Sequence, residues 1–126
     1  MTFSSSDDHE ITSVNGDYGE IYDDVGWFAL GSESYKKIPK NIKKFFPNVE
    51  TVDISSTNIT TLTKSDMASL GPQLRSFHFC YNNIEVLEEG LFDENPNLEL
   101  IELSNNQIKF VASGVFDKLS NLTSLF

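Results

Sequence analysis

Apolar residues in this chain recur with one internal spacing: a first residue, a second three positions later and a third two after that. Val25, Phe28 and Leu30 form one set, Val49, Val52 and Ile54 the next, then Leu74, Phe77 and Phe79, then Leu98, Ile101 and Leu103; Leu122 and Leu125 begin a fifth. The opening residues of successive sets lie 24, 25, 24 and 24 positions apart. So even a stride means that one supersecondary unit is copied along the chain. The last two residues of each set alternate as the inward face of a strand does, which predicts short strands starting near 25, 49, 74, 98 and 122.

Each strand signal is followed by a second pattern. Asn82 and Asn106 each precede an apolar residue two positions on, Ile84 and Ile108, and then Leu87 and Val111. Written over the consensus Leu-x-x-Leu-x-Leu-x-x-Asn-x-Leu, the third unit is Leu74, Phe77, Phe79, Asn82, Ile84 and the fourth is Leu98, Ile101, Leu103, Asn106, Ile108. This resembles the leucine-rich repeat. The resemblance implies an α/β-type solenoid: a right-handed superhelix with a short-stranded parallel sheet on its concave face and mostly irregular convex segments. It also implies that the Asn side chain turns inward to bond backbone groups at the bend. Met67, Phe92 and Phe116 share a late position in consecutive units and should stack along the convex half of the core. Thr57 and Glu33 stand where Asn is expected, so the Asn column should run through two turns only.

The repeats divide the chain. Residues 1–20, rich in Ser, Asp, Gly and Glu, read as an acidic, unpacked tail; residues 21–126 read as the repeat domain, with about four units and an incomplete fifth. The uncovered apolar edge at Leu122–Phe126 invites pairing with another chain. It is therefore a candidate for self-association, and the sequence reads as a portion of a longer solenoid.

Charge narrows the partners. The formal net charge is -10, and of 19 acidic residues eight precede Lys36. That balance argues against nucleic acid and anionic membranes. Lys36, Lys37, Lys40, Lys43 and Lys44 cluster beside the acidic start and read as a solvated edge. Cys80 is the single cysteine, so no intrachain disulfide can form. No apolar run is long enough to span a bilayer, and the first residues carry no export signal, which would make the chain cytoplasmic if Met1 is the true start.

A closer resemblance points the other way. Ile11-Thr12-Ser13-Val14-Asn15-Gly16, Asp24-Val25 and Ile38-Pro39-Lys40-Asn41-Ile42-Lys43-Lys44-Phe45-Phe46-Pro47-Asn48-Val49 are similar to the N-terminal region of secreted leucine-rich-repeat proteins of dipteran insects. That likeness implies an extracellular protein, although the signal peptide and Cys-containing stretch found there are missing here. The sequons Asn58-Ile59-Thr60 and Asn121-Leu122-Thr123 make Asn58 and Asn121 candidate glycan acceptors in an exported chain.

Between the inward strand positions lie residues that should face outward in columns across neighbouring strands: Gly26, Glu50, Arg75, Glu99, Thr123; Ala29, Asp53, His78, Glu102, Phe126; Gly31, Ser55, Cys80, Ser104; and Ser32, Ser56, Tyr81, Asn105. With strands about 4.8 Å apart, Glu50, Arg75 and Glu99 should form an ion-pair ladder. Asp53, His78 and Glu102 are a remote candidate for divalent metal, with a charge-alternating patch as the simpler reading. Cys80 has only His78 as a base, on an open surface, and no phosphate loop or metalloprotease motif is present, so no enzymatic activity and no cofactor are expected. The favoured expectation is a protein-binding module whose concave face presents Trp27, Asp53, Arg75, His78, Tyr81, Glu99 and Glu102 to a protein ligand.

Overall fold

The computed structural model describes residues 3–5, 11–14, 25–30 and 34–126, giving the backbone alone for Phe3–Ser5 and Thr12–Val14. Glu33, Gly31, Ser32 and much of the stretch read as a tail lie outside the described residues. In chain order the elements are β1 (Phe3–Ser5), β2 (Ile11–Val14), β3 (Trp27–Ala29), α1 (Ile42–Phe45), β4 (Thr51–Asp53), α2 (Lys64–Leu70), β5 (Ser76–His78), β6 (Val86–Leu87), β7 (Leu100–Glu102), β8 (Phe110–Val111) and β9 (Ser124–Leu125).

The repeated apolar set makes the main sheet. Five parallel strands lie in the order β3-β4-β5-β7-β9. Phe28, Val52, Phe77, Ile101 and Leu125 are successive register partners, and the first four are buried. A constant stride leaves no other register open, because a slip of one residue would turn every one of these side chains to the opposite face. A second, narrower parallel sheet, β6 with β8, forms on the flank of the coil, pairing Val86 with Phe110 and Leu87 with Val111.

The Asn positions close the bends. Asn82 is buried; its Oδ1 accepts from the Thr57 and Ile59 amides, both at 3.1 Å, and its Nδ2 donates to the Ile54 carbonyl at 2.8 Å. Asn106 repeats the arrangement one turn later, donating to the Phe79 and Leu103 carbonyls. One side chain thus satisfies backbone groups of two turns, which a bend without ladder partners requires. Thr57, standing in the Asn position, is fully buried and gives its hydroxyl to Asn82 Oδ1 at 2.8 Å.

The convex segments differ from turn to turn. Between β4 and β5 the chain forms α2 because Thr63 and Asp66 make a reciprocal cap: the Asp66 amide donates to Thr63 Oγ1 and the Thr63 amide to Asp66 Oδ2. Met67 and Leu70, three apart on this helix, are buried. In the next two units the equivalent stretch is a chain of turns opened by Gly90 and Gly114, each at φ +73°, a conformation that favours glycine. Met67 and Phe92 are buried, Phe116 is half-buried, and the two Phe rings stack at 5.8 Å, so the expected convex column is present.

Within the stretch read as an acidic tail, β1 and β2 pair antiparallel and Ile11 is buried. Asn41 holds that contact by accepting the Ile11 amide at 2.6 Å and donating to its carbonyl at 2.8 Å. Among the described residues no helix is long and apolar enough to cross a membrane.

Candidate binding surface

The strand that buries Phe77 must turn both of its neighbours outward, so the open face of the main sheet carries two columns within the strands and one just before them. The column before the strands is fixed by backbone bonds: Glu50 N–H to the Gly26 carbonyl, Arg75 to Glu50, Glu99 to Arg75 and Thr123 to Glu99, each at 2.8 or 2.9 Å. Here the expected ladder forms on one side only. Arg75 Nε lies 4.0 Å from Glu50 Oε1, both side chains being more than half exposed, and no ion pair joins Arg75 to Glu99.

The second column holds Ala29, Asp53, His78 and Glu102 in direct register. His78 Nδ1 meets Glu102 Oε2 at 2.5 Å. Asp53 turns elsewhere: its Oδ1 accepts the Ser55 amide at 3.1 Å, the local bond that Asp commonly makes two residues ahead. This separation corrects the remote metal reading of Asp53, His78 and Glu102. Among the described residues no three His, Cys, Asp or Glu side chains converge to hold an ion.

Cys80, half-buried, neighbours this pair. Burial pushes its thiol up, and the charge of Glu102 pushes it further, so at neutral pH the sulfur stays protonated. A protonated thiol is a poor nucleophile and a poor metal ligand.

The rim of the face is where the chain bends out of each strand. Ser56, Tyr81 and Asn105 occupy one repeat position there, all left-handed, with φ of 60°, 56° and 59°. Ser and Asn are small or hydrogen-bond locally; Tyr is bulky and gains nothing from that conformation. Tyr81, just beyond the central strand, is 62% exposed, as is Trp27 on the edge strand β3, and Phe126 is 64% exposed. The structure therefore places Trp27, Asp53, Arg75, His78, Tyr81, Glu99 and Glu102 on one face or its rim, and among them the side chains of His78 and Glu102 form a hydrogen-bonded pair.

Two features were not singled out from the sequence. A column of Trp27, Thr51, Ser76, Leu100 and Ser124 runs along the same face, placing half-buried Leu100 on the strand next to the central one. Strand alternation would have located it, since both neighbours of each inward residue must face out. The other is the flank sheet, where Val86, Phe110 and Val111 are 47%, 58% and 48% exposed and only Leu87 is buried.

Candidate glycan acceptors Asn58 and Asn121 are both exposed. Asn58 sits at φ 58° and donates its amide to Ser34 Oγ at 3.0 Å, whereas Asn121 lines a shallow cavity of about 250 Å³ with Gln73, Arg75, Asn97 and Glu99 among its walls.

Residues 72–126 match the family described as Leucine rich repeat. No curated protein sequence matches the chain. Among solved structures, a chain of the TLR13-ssRNA13 complex superposes with a TM-score of 0.58 at 27% identity, covering 61% of this chain and 11% of that one. A chain of the Drosophila melanogaster SNF/U2A' complex gives a TM-score of 0.54 at 22% identity, covering 79% of this chain and 55% of the other, a likeness of fold alone. This chain thus spans 11% of the first and 55% of the second. The fold is a leucine-rich-repeat solenoid.

Proposed function

We propose that this leucine-rich-repeat solenoid is a non-enzymatic module that binds a protein ligand on the open face of its main sheet. The observation that carries the reading is the composition of that face: exposed Trp27, Tyr81 and Phe126 frame Glu50, Asp53, Glu99 and Glu102, with Arg75 and His78 between them. Rigid aromatics are the usual anchors of protein interfaces. The carboxylates favour a ligand with basic side chains and repel phosphate backbones, so a protein is preferred over RNA even though one structural neighbour was solved with single-stranded RNA. The raised thiol of Cys80 and the turned-away Asp53 supply neither a nucleophile nor a metal site, which supports a binding role over catalysis. By its resemblance to dipteran secreted proteins, the module acts outside the cell.

Selection of a displayed peptide library on the immobilised chain tests this. Enriched sequences should include basic ones that are lost on a Trp27→Ala/Tyr81→Ala surface. Because Trp27 is the only tryptophan, its emission should also shift on binding the selected peptide. Failure to enrich any sequence sensitive to that pair, or saturable binding of labelled single-stranded RNA at physiological salt in its place, would remove the proposal.

One observation favours a second, structural reading. At β9, Leu125 is 46% exposed and Phe126 64%, and among the described residues β9 pairs only with β7. An apolar strand edge of this kind suits further repeat turns or a second copy. Sedimentation velocity should then show concentration-dependent dimers that Leu125→Lys abolishes; a monomer throughout would discard this reading.

A further inference from the structure

The flank of the coil carries apolar surface that the packing does not require. Val86 and Phe110 are register partners on β6 and β8, and both are exposed; of their successors, Leu87 is buried and Val111 is itself 48% exposed. The equivalent residue one turn earlier is Thr61, exposed and polar, so the coil closes equally well without an apolar group at that position. Two cavities meet at Val86. One, of about 410 Å³, is lined by Val86, Glu88, Glu89, Phe110, Ala112 and Ser113. The other, of about 280 Å³, lies between Thr60–Thr63 and Glu85, Val86 and Glu88. Volumes of this order accept one or two large side chains.

Every charged group in the walls of both cavities is a carboxylate. Glu85 is paired with Lys109 at 3.0 Å, and Glu88 accepts the Lys64 amide at 2.6 Å. Glu89 is exposed. The other nearby cations, Lys64 and Lys118, are drawn to Asp93 at 3.7 and 3.1 Å, away from the groove. An apolar floor thus lies within an acidic rim whose local cations are already engaged.

We infer that this flank is a second docking surface, separate from the open face of the main sheet, and that its occupant is an extended cationic peptide segment presenting an apolar side chain between basic ones. The apolar side chain seats against Val86 and Phe110; the basic neighbours reach Glu88 and Glu89. Charge complementarity selects the occupant: an acidic segment or a nucleic acid meets like charge, and a wholly basic one leaves the floor uncovered.

The test uses the full chain and a fluorescein-labelled peptide of alternating Arg and Leu, read by anisotropy, with Glu–Leu and Arg–Ser versions as controls. The Arg–Leu peptide should bind with an affinity that falls with added salt, and the controls should bind weakly or not at all. Phe110→Ser with Val86→Thr should weaken it by about tenfold or more, the loss of two buried apolar contacts. Glu89→Lys should also weaken it, and Trp27→Ala should leave it unchanged. Unaltered far-UV circular dichroism shows that the exposed replacements fold. Binding lost through Trp27→Ala but indifferent to the flank variants would overturn the proposal while leaving the main-sheet reading intact. Equal binding of the Glu–Leu peptide would overturn it as well. So would capture by phosphatidylcholine vesicles, or a dimer abolished by Phe110→Ser, without peptide binding; those results would assign the flank to a lipid surface or to a second copy.

Discussion

Asn82 Oδ1 accepts the Thr57 hydroxyl at 2.8 Å across 25 residues of sequence, and both side chains are buried. The same oxygen takes the Thr57 and Ile59 amides, while Nδ2 reaches the Ile54 carbonyl. Asn82→Ala therefore strands several buried polar groups at once. Each unsatisfied group costs about 1–3 kcal/mol, so the loss should be on the order of 4 kcal/mol, read as a lowered urea midpoint at unchanged slope. Asn106→Ala, at a half-buried position with fewer bonds, should lose clearly less. Equal losses would show that the inward Asn acts by volume and not by hydrogen bonding.

That arrangement was legible because Asn82 and Asn106 recur at one stride behind apolar residues that the strand period already assigns to the core. The register Val52, Phe77, Ile101 followed for the same reason. What escaped was whatever the repeat does not encode. Arg75 reaches one carboxylate and not both because long exposed side chains choose among solvated geometries that differ by little. Asp53 stays in register with His78, but its carboxylate accepts the Ser55 amide at 3.1 Å, a local bond that the repeat does not encode. The β2 contact depends on Asn41, thirty residues from Ile11, and no local pattern announces it.

Tyr81 holds φ at 56° where Asn105 holds 59°. A bulky residue in the left-handed region carries strain of about 1 kcal/mol, so Tyr81→Asn should raise stability by a similar amount. The same change should weaken ligand binding at the main-sheet face, since it removes an exposed ring. Paired urea titrations and peptide-binding isotherms check both signs. A variant both less stable and unaltered in binding would mean that the ring serves the fold instead.

Asp93 lies between two cations, Lys118 Nζ at 3.1 Å and Lys64 Nζ at 3.7 Å. The hydrogen bond from Lys118 first, and the positive charges of Lys118 and Lys64, hold its carboxyl below the ordinary range. A depressed folded pKa gives stability that is present above the unfolded value of about 3.9 and disappears as pH falls through the folded value. Lys118→Met should move the Asp93 carboxyl titration upward when followed by NMR, and should shrink the loss of stability on acidification below about pH 4. The group is at the surface, so added salt should reduce both effects.

Cys80 tests the exclusion of catalysis directly. His78 stands two residues away on the same strand face, and a thiol beside an imidazole becomes reactive when the pair favours the thiolate. Here the imidazole is turned to Glu102 at 2.5 Å, and burial together with the Glu102 charge holds the thiol protonated. Alkylation by iodoacetamide at neutral pH should be slower than for an unstructured cysteine peptide, with a rate that climbs into the alkaline range before levelling. Glu102→Gln removes one negative charge and should accelerate it, because the Glu102 contribution is gone while burial and the Asp53 charge persist. A rate already maximal near pH 6, or one that Glu102→Gln leaves untouched, would mean that His78 stabilises the thiolate after all and would return a nucleophilic role to this face.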